Sequence, residues 1–207
     1  MLSLTLVIII FTCLMSVPAL QNRNLFAKLL FNPSIIRANK EWYRFLSHAF
    51  LHADWIHLLM NMYVLFIFGG MVEELFISAF GVIKGESYFF LLYFVSIVAS
   101  VIPSYEKHKN DFYYNAVGAS GAVSAIVFSA ILLNPTMSLA LMFIPVPIPA
   151  PVFGVLYLVY CWYMTKRATD NVAHDVHYWG SLFGALFTIV VLPSTVPRLI
   201  DAVRNIF

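Results

Sequence analysis

Six stretches of the chain run almost without charge: roughly 2–20, 55–77, 87–104, 117–134, 150–165 and 174–193. Backbone polar groups at membrane depth must be satisfied internally, so each stretch is predicted to be a helix. Six such helices use up residues 1–207 as one membrane domain, with 194–207 left as a short interfacial tail, and no repeat or low-complexity tract interrupts it. Val17-Pro18-Ala19 faintly suggests a cleavage site. No basic residue precedes the apolar run from Met1 to Leu20, however, and the run is long enough to span, so it is read as a retained first helix.

The connections differ in kind. Residues 21–54 contain Leu25–Phe31 and Trp42–Leu51, which are aromatic-rich and partly amphipathic and suit a segment half-sunk at the interface. Pro145, Pro147, Pro149 and Pro151 stand at alternate positions, a pattern that forbids helix and predicts an extended, stiff hinge before the fifth helix. The tail from Val196 to Phe207, with Arg198, Asp201 and Arg204, reads as a short interfacial helix.

Composition fixes the solvent. A chain 61% hydrophobic and 11% charged, with mean hydropathy +0.85, has no polar surface to offer water, so the bilayer takes that place. The net charge of +2 carries no sign of nucleic-acid binding. Cys13 and Cys161 sit in apolar runs, fit no metal or redox spacing, and are expected as unpaired thiols.

Against this background the polar residues stand out. His57 and Asn61, four apart, share one helical face and are expected to look into the bundle. Residues 118–134 span only about 25 Å as a helix, short of a hydrocarbon core of about 30 Å, so Ser120 in Gly118-Ala119-Ser120-Gly121 is expected below the water surface. A serine at a helix start is commonly just an N-cap. Gly121, Ala125 and Ser129 continue as a small-residue stripe, and His177, Gly180 and Gly184 share a face of the last segment. If the two stripes pack, the imidazole reaches the hydroxyl, as nucleophilic catalysis requires. His174 competes for the role of base but leads onto His177 and Ser181 rather than onto the glycines. Asp175 points elsewhere on the helix and is not expected to complete a triad. His48 and His52, four apart, together with His57 suggest zinc, but two histidines on one face want a third ligand and a Glu base in a recognisable motif, so hydrogen bonding within the first connection is the expectation. His108 is read as a solvated loop residue.

At these residues the chain resembles the rhomboid family of intramembrane serine proteases, over about residues 40–190. The resemblance is carried by Trp42-Tyr43-Arg44, His48-Ala49-Phe50-Leu51-His52, His57-Leu58-Leu59-Met60-Asn61, Gly69-Gly70 with Glu73, Gly118-Ala119-Ser120-Gly121, and His177 with Gly180 and Gly184. It implies an all-α membrane protein, a six-transmembrane-helix bundle with a long, partly membrane-embedded first loop. It implies a serine endopeptidase with a Ser120–His177 dyad. His57, Asn61 and the Ser120 N–H would form the oxyanion hole, and Gly118 would leave room for the substrate carbonyl. The fifth helix would be a lateral gate. The implied partners are transmembrane protein substrates and the lipid bilayer, with no metal, no organic cofactor and no nucleic acid. The compact form resembles bacterial members, which implies the bacterial inner membrane.

Two positions depart from the family pattern. Ser124 stands where a tyrosine usually supports the histidine, so Tyr178, Trp179 or Phe128 is expected to hold the imidazole instead, and Tyr43 interrupts the tryptophan–arginine pair. Family topology puts the first, third and fifth connections outside the cytoplasm, although most of the lysines and arginines lie there, against the usual charge bias. Two rivals are a catalytically silent membrane-protein-binding relative and a proton-coupled transporter using His57 and His177. The latter would want paired halves that the chain does not show.

Overall fold

The computed structural model describes residues 3–141, 144–167 and 172–206. Met1, Leu2 and Phe207, at the ends of the first expected segment and of the tail, lie outside the described residues. Helix α1 (Leu4–Gln21) starts on Ser3, whose hydroxyl accepts the Leu6 N–H. The Leu4 and Thr5 N–H groups, which a first helical turn cannot satisfy itself, end on the buried carboxylate of Glu73 at 2.7 and 2.9 Å.

The first connection folds into α2 (Arg23–Leu29), α3 (Pro33–Asn39), α4 (Arg44–Ser47) and a 3₁₀ turn, His48–Phe50. Asn22 and Asn32 cap α2 and α3, and Pro33 fits the first helical position because its missing N–H would have had no partner there. Arg44, although charged, is buried. Its guanidinium donates to Glu41 and to the Ala27 and Leu30 carbonyls, gathering the connection into one bracket.

Helix α5 (Trp55–Val64), capped by Asp54, runs through a π turn at Leu65–Gly69 into α6 (Gly70–Phe80). Helix α7 (Val82–His108) follows, then α8 (Ser120–Leu133), a hairpin of β1 (Ser138–Leu141) and β2 (Ile144–Pro149), α9 (Ala150–Arg167), α10 (His174–Val191) and α11 (Thr195–Arg204). Helix α8 is the centre of the bundle: it is apolar all round and buried from Gly121 to Leu133 save Val127. Helices α6, α7 and α10 pack around it. Leu14, Ile56, Leu59 and Val190 instead face outward, as side chains bathed in lipid do.

Among the described residues each apolar segment contains helix. Among the described residues three runs, Leu4–Gln21, Trp55–Phe80 and Val82–His108, are long and apolar enough to cross a membrane, or four if α10 and α11, bent by 116°, count as one. The chain is a mostly helical membrane bundle.

Helix α7 outruns the expected 87–104 at both ends, and two further features differ from expectation. Helix α8 begins at Ser120 rather than at 117. The alternating prolines are extended, as their fixed φ requires, but they form one strand of an antiparallel pair, with Leu139 opposite Ile148 and Leu141 opposite Ile144. Prolines two apart remove N–H groups along one edge only, so the other edge can still make a ladder. Among the described residues the fold is thus helical except for this hairpin and a single bridge between Phe31 and Ala116.

Candidate active site

Ser120 is the first residue of α8, half-buried, and not a cap. Ala119 occupies the N-cap position and makes no side-chain cap bond. The backbone that delivers Ser120 is pinned from the first connection. Phe31 and Ala116 exchange N–H···O bonds of 3.0 Å, and the Gly118 N–H donates to the His48 carbonyl at 3.0 Å. Gly118 has φ +116°, a left-handed conformation that a side chain would strain.

Space gives a second reason for glycine at 118. A β-carbon there would lie 2.8 Å from His57 Cε1, 2.9 Å from His57 Nε2 and 3.7 Å from Ser120 Oγ. Imidazole and hydroxyl thus converge on a bare α-carbon. The Ala53 N–H approaches His57 Nδ1 at 3.4 Å, which makes Nδ1 the acceptor and leaves the ring proton on Nε2, the nitrogen beside Gly118. Asn61, buried one turn along α5, donates from Nδ2 to the His57 carbonyl at 2.9 Å, using one of two amide protons.

His52 supports this arrangement from behind. Its Nε2 accepts the Ala119 N–H at 3.5 Å, so Nδ1 carries the proton and donates to Ser16 Oγ at 2.8 Å, which itself donates to the Phe50 carbonyl. The His52 ring also stands edge-on to His57, 5.0 Å between centroids. Burial, then the nearby His57, push His52 down to about 3. Burial likewise pushes His48, whose Nδ1–H donates to the Arg44 carbonyl, down to about 4. Both rings therefore stay neutral. The ring of His48 bonds inside the first connection, as expected, whereas the ring of His52 reaches α1 and the loop before α8.

The glycine seam forms between α8 and α10. A β-carbon on Gly180 would lie 2.9 Å from the Gly121 carbonyl carbon, and one on Gly184 2.5 Å from Ala125 Cα. Val176 comes against Gly121, and Thr188 donates to Ser129 at 2.8 Å further along. Ser120 precedes Gly121 and His177 lies one turn before Gly180, so both stand at the same end of this seam.

Two rings lie beside His177 in sequence and across the helix pair. The His174 ring sits edge-on to it at 6.1 Å, and Tyr160 of α9 sits edge-on to His174 at 5.4 Å. Ser124 meets Tyr157 of α9, with the oxygens 3.2 Å apart, so a tyrosine arrives beside this position from another helix. Asp175 accepts from Ser104 of α7 at 2.7 Å. The side chains of Cys161, His174 and His177 also meet, their donor atoms all within 4.8 Å of one another. Tyr157 and Cys161 were missed as site neighbours. The signal lay in the spacing of Gly154, Tyr157 and Cys161 by three and four, which marks the face of α9 turned to the bundle.

A multi-pass helical membrane protein whose serine opens a buried helix beside a histidine-lined glycine is the class that fold and site define. Residues 39–194 match the model of the Rhomboid domain, and the chain belongs to the rhomboid family. Among its relatives, it is 33% identical over 94 residues to Rhomboid-like protein 11, chloroplastic, of Arabidopsis thaliana, covering 45% of this chain and 30% of that one. It is 28% identical over 149 residues to RHOMBOID-like protein 12, mitochondrial, of the same plant, covering 68% of this chain and 44% of that one. It is 30% identical over 102 residues to Rhomboid protease GlpG of Haemophilus influenzae, covering 48% and 47%. The match spans less than half the length of each of these relatives.

Proposed function

We propose that this chain is an intramembrane serine endopeptidase, built as a six-transmembrane-helix bundle, that hydrolyses peptide bonds in or near the transmembrane segments of other membrane proteins. Ser120 Oγ attacks the scissile carbonyl while His177 takes its proton, then returns it to the leaving amine; water repeats the sequence on the acyl-enzyme. The developing oxyanion sits over the bare α-carbon of Gly118, facing the His57 Nε2–H, the remaining Asn61 amide proton and the Ser120 N–H. Each such donor is worth about 10²–10³ in rate. The observation that carries the reading is the convergence of His57 Nε2 and Ser120 Oγ on Gly118. A substrate helix must unwind before its bond is exposed, so segments that unwind readily are the expected partners. We place the chain in a bacterial cell membrane.

Purified protein incubated with labelled single-span substrates tests this. Ser120→Ala and His177→Ala should each abolish cleavage, whereas His174→Ala should retain most of it. A serine-reactive phosphonate should label the wild type and spare Ser120→Ala. No labelling and no cleavage would overturn the hydrolase and favour a binding scaffold; a dead His174→Ala beside an active His177→Ala would move the base.

A further inference from the structure

We propose that Cys161, His174 and His177 form a binding site for a borderline-soft divalent cation of the Zn²⁺ type, and that its occupation switches the enzyme off. The inference rests on His177 being the base. It revises the expectation of a metal-free chain, because folding brings together a thiol and two imidazoles that no sequence spacing connects.

The donor atoms lie within 4.8 Å of one another. In a tetrahedral site with Zn–N of about 2.0–2.1 Å and Zn–S of about 2.3 Å, donors stand roughly 3.4–3.6 Å apart. Small side-chain rotations, each moving an atom by about an ångström, would close that gap. His174 and His177 are three apart on α10 and project from one face. Cys161 comes from the bundle-facing side of α9 and is fully buried, His174 is buried, and His177 is half-exposed. Two buried donors and one nearer water give an entry path through His177. Thiolate with imidazole suits zinc better than magnesium or calcium, which take oxygen. Three protein ligands leave a fourth position for water.

The balance is simple. The cation displaces the Cys161 thiol proton to bulk water and forms a metal–thiolate bond, while the two neutral imidazoles donate lone pairs and nothing is oxidised or reduced. A coordinated His177 nitrogen cannot accept the Ser120 proton. The same ion ties α9 to α10 and so fastens the helix expected to open for substrate.

The protein, stripped with chelator in detergent, is titrated with Co²⁺ as a spectroscopic probe and with Zn²⁺ in the cleavage assay. One Co²⁺ should bind with a thiolate-to-metal charge-transfer band, absent in Cys161→Ser and shifted in His174→Gln. Zn²⁺ should lower the wild-type rate about tenfold or more, reversibly with chelator, and both variants should need at least about tenfold more Zn²⁺ for the same fractional loss. A wild type without the thiolate band, a band surviving in Cys161→Ser, or equal Zn²⁺ inhibition of wild type and both variants would each overturn the site. Elution as a single folded peak is required of each variant; if Cys161→Ser fails it, His174→Gln carries the comparison. The cobalt spectrum needs no turnover. A chain that shows the band but cleaves nothing refutes the hydrolase and keeps the site, and one that cleaves without the band does the reverse.

Discussion

Substituting alanine for Gly180 should cost far more activity than its single methyl group suggests. The added carbon would lie 2.9 Å from the Gly121 carbonyl carbon and 3.1 Å from Gly121 Cα, with the carbonyl oxygen nearer still, where ordinary contact begins near 3.4 Å. Backbone cannot rotate aside as a side chain would, so α10 must lift off α8 by about 0.5–1 Å. Overpacking of that kind costs roughly 1–3 kcal/mol. His177 sits one turn away and shares the displacement, and a misplacement of about 1 Å at reacting groups can cost about 10²-fold in rate. We therefore expect Gly180→Ala to lower the thermal midpoint in detergent and to cut kcat by about 10², with KM little changed. Gly184→Ala is equally crowded but lies seven residues, about 10 Å, from His177, so its stability loss should be similar and its kcat loss smaller. Gly70→Ala is the control: nothing lies within 4 Å, and replacing a helical glycine should stabilise by up to about 1 kcal/mol. A Gly180→Ala variant that loses stability yet cleaves within about twofold of wild type would refute the claim that this seam sets the Ser120–His177 geometry.

Other outcomes follow from the same contacts. Glu73→Gln should destabilise by about 2–3 kcal/mol, since charge-assisted bonds to Leu4, Thr5 N–H and Thr5 Oγ lose their charge and one oxygen becomes a donor facing donors; an unchanged thermal midpoint would remove Glu73 as the anchor of α1. Acid should weaken the fold through His48 and His52, held at about 4 and about 3 against an ordinary value of 6.5. Above pH 6.5 both states are neutral and neither ring matters; from there down to about 4 the unfolded chain binds protons that the folded one refuses, so stability falls by up to about 1.4 kcal/mol per pH unit per ring. Thermal midpoints at pH 7 and 5 measure this, and a flat profile would show that the rings are not held neutral. Tyr157→Phe removes a link between α9 and α8 worth about 0.5–1.5 kcal/mol and should speed cleavage by about two- to tenfold if α9 is the gate; slower turnover would show that the hydroxyl serves the site instead.

The glycine seam was legible because helical periodicity is local: Gly121 with Ala125 and Gly180 with Gly184 announce a close-packed face before the partner is known. The role of Gly118 was not legible from spacing alone, since its positive φ comes from bonds to a first connection some seventy residues earlier, and the resemblance supplied it. Arg44 was singled out by the same resemblance, but its burial depends on carbonyls of a helix end that no pattern places beside it. Cys161 stayed invisible because its neighbours lie across a helix pair whose register only packing decides. The hairpin was half seen: alternate prolines declare extension, but their free edge finds β1 only once the chain turns back.

The bracket around Arg44 has one more consequence. It carries the His48 carbonyl that holds Gly118, so the loop before Ser120 hangs from a shelf of short helices. Whatever tilts that shelf tilts the backbone that delivers Ser120, and under the proposed function a change at Arg44 far from the hydroxyl would be felt in the rate.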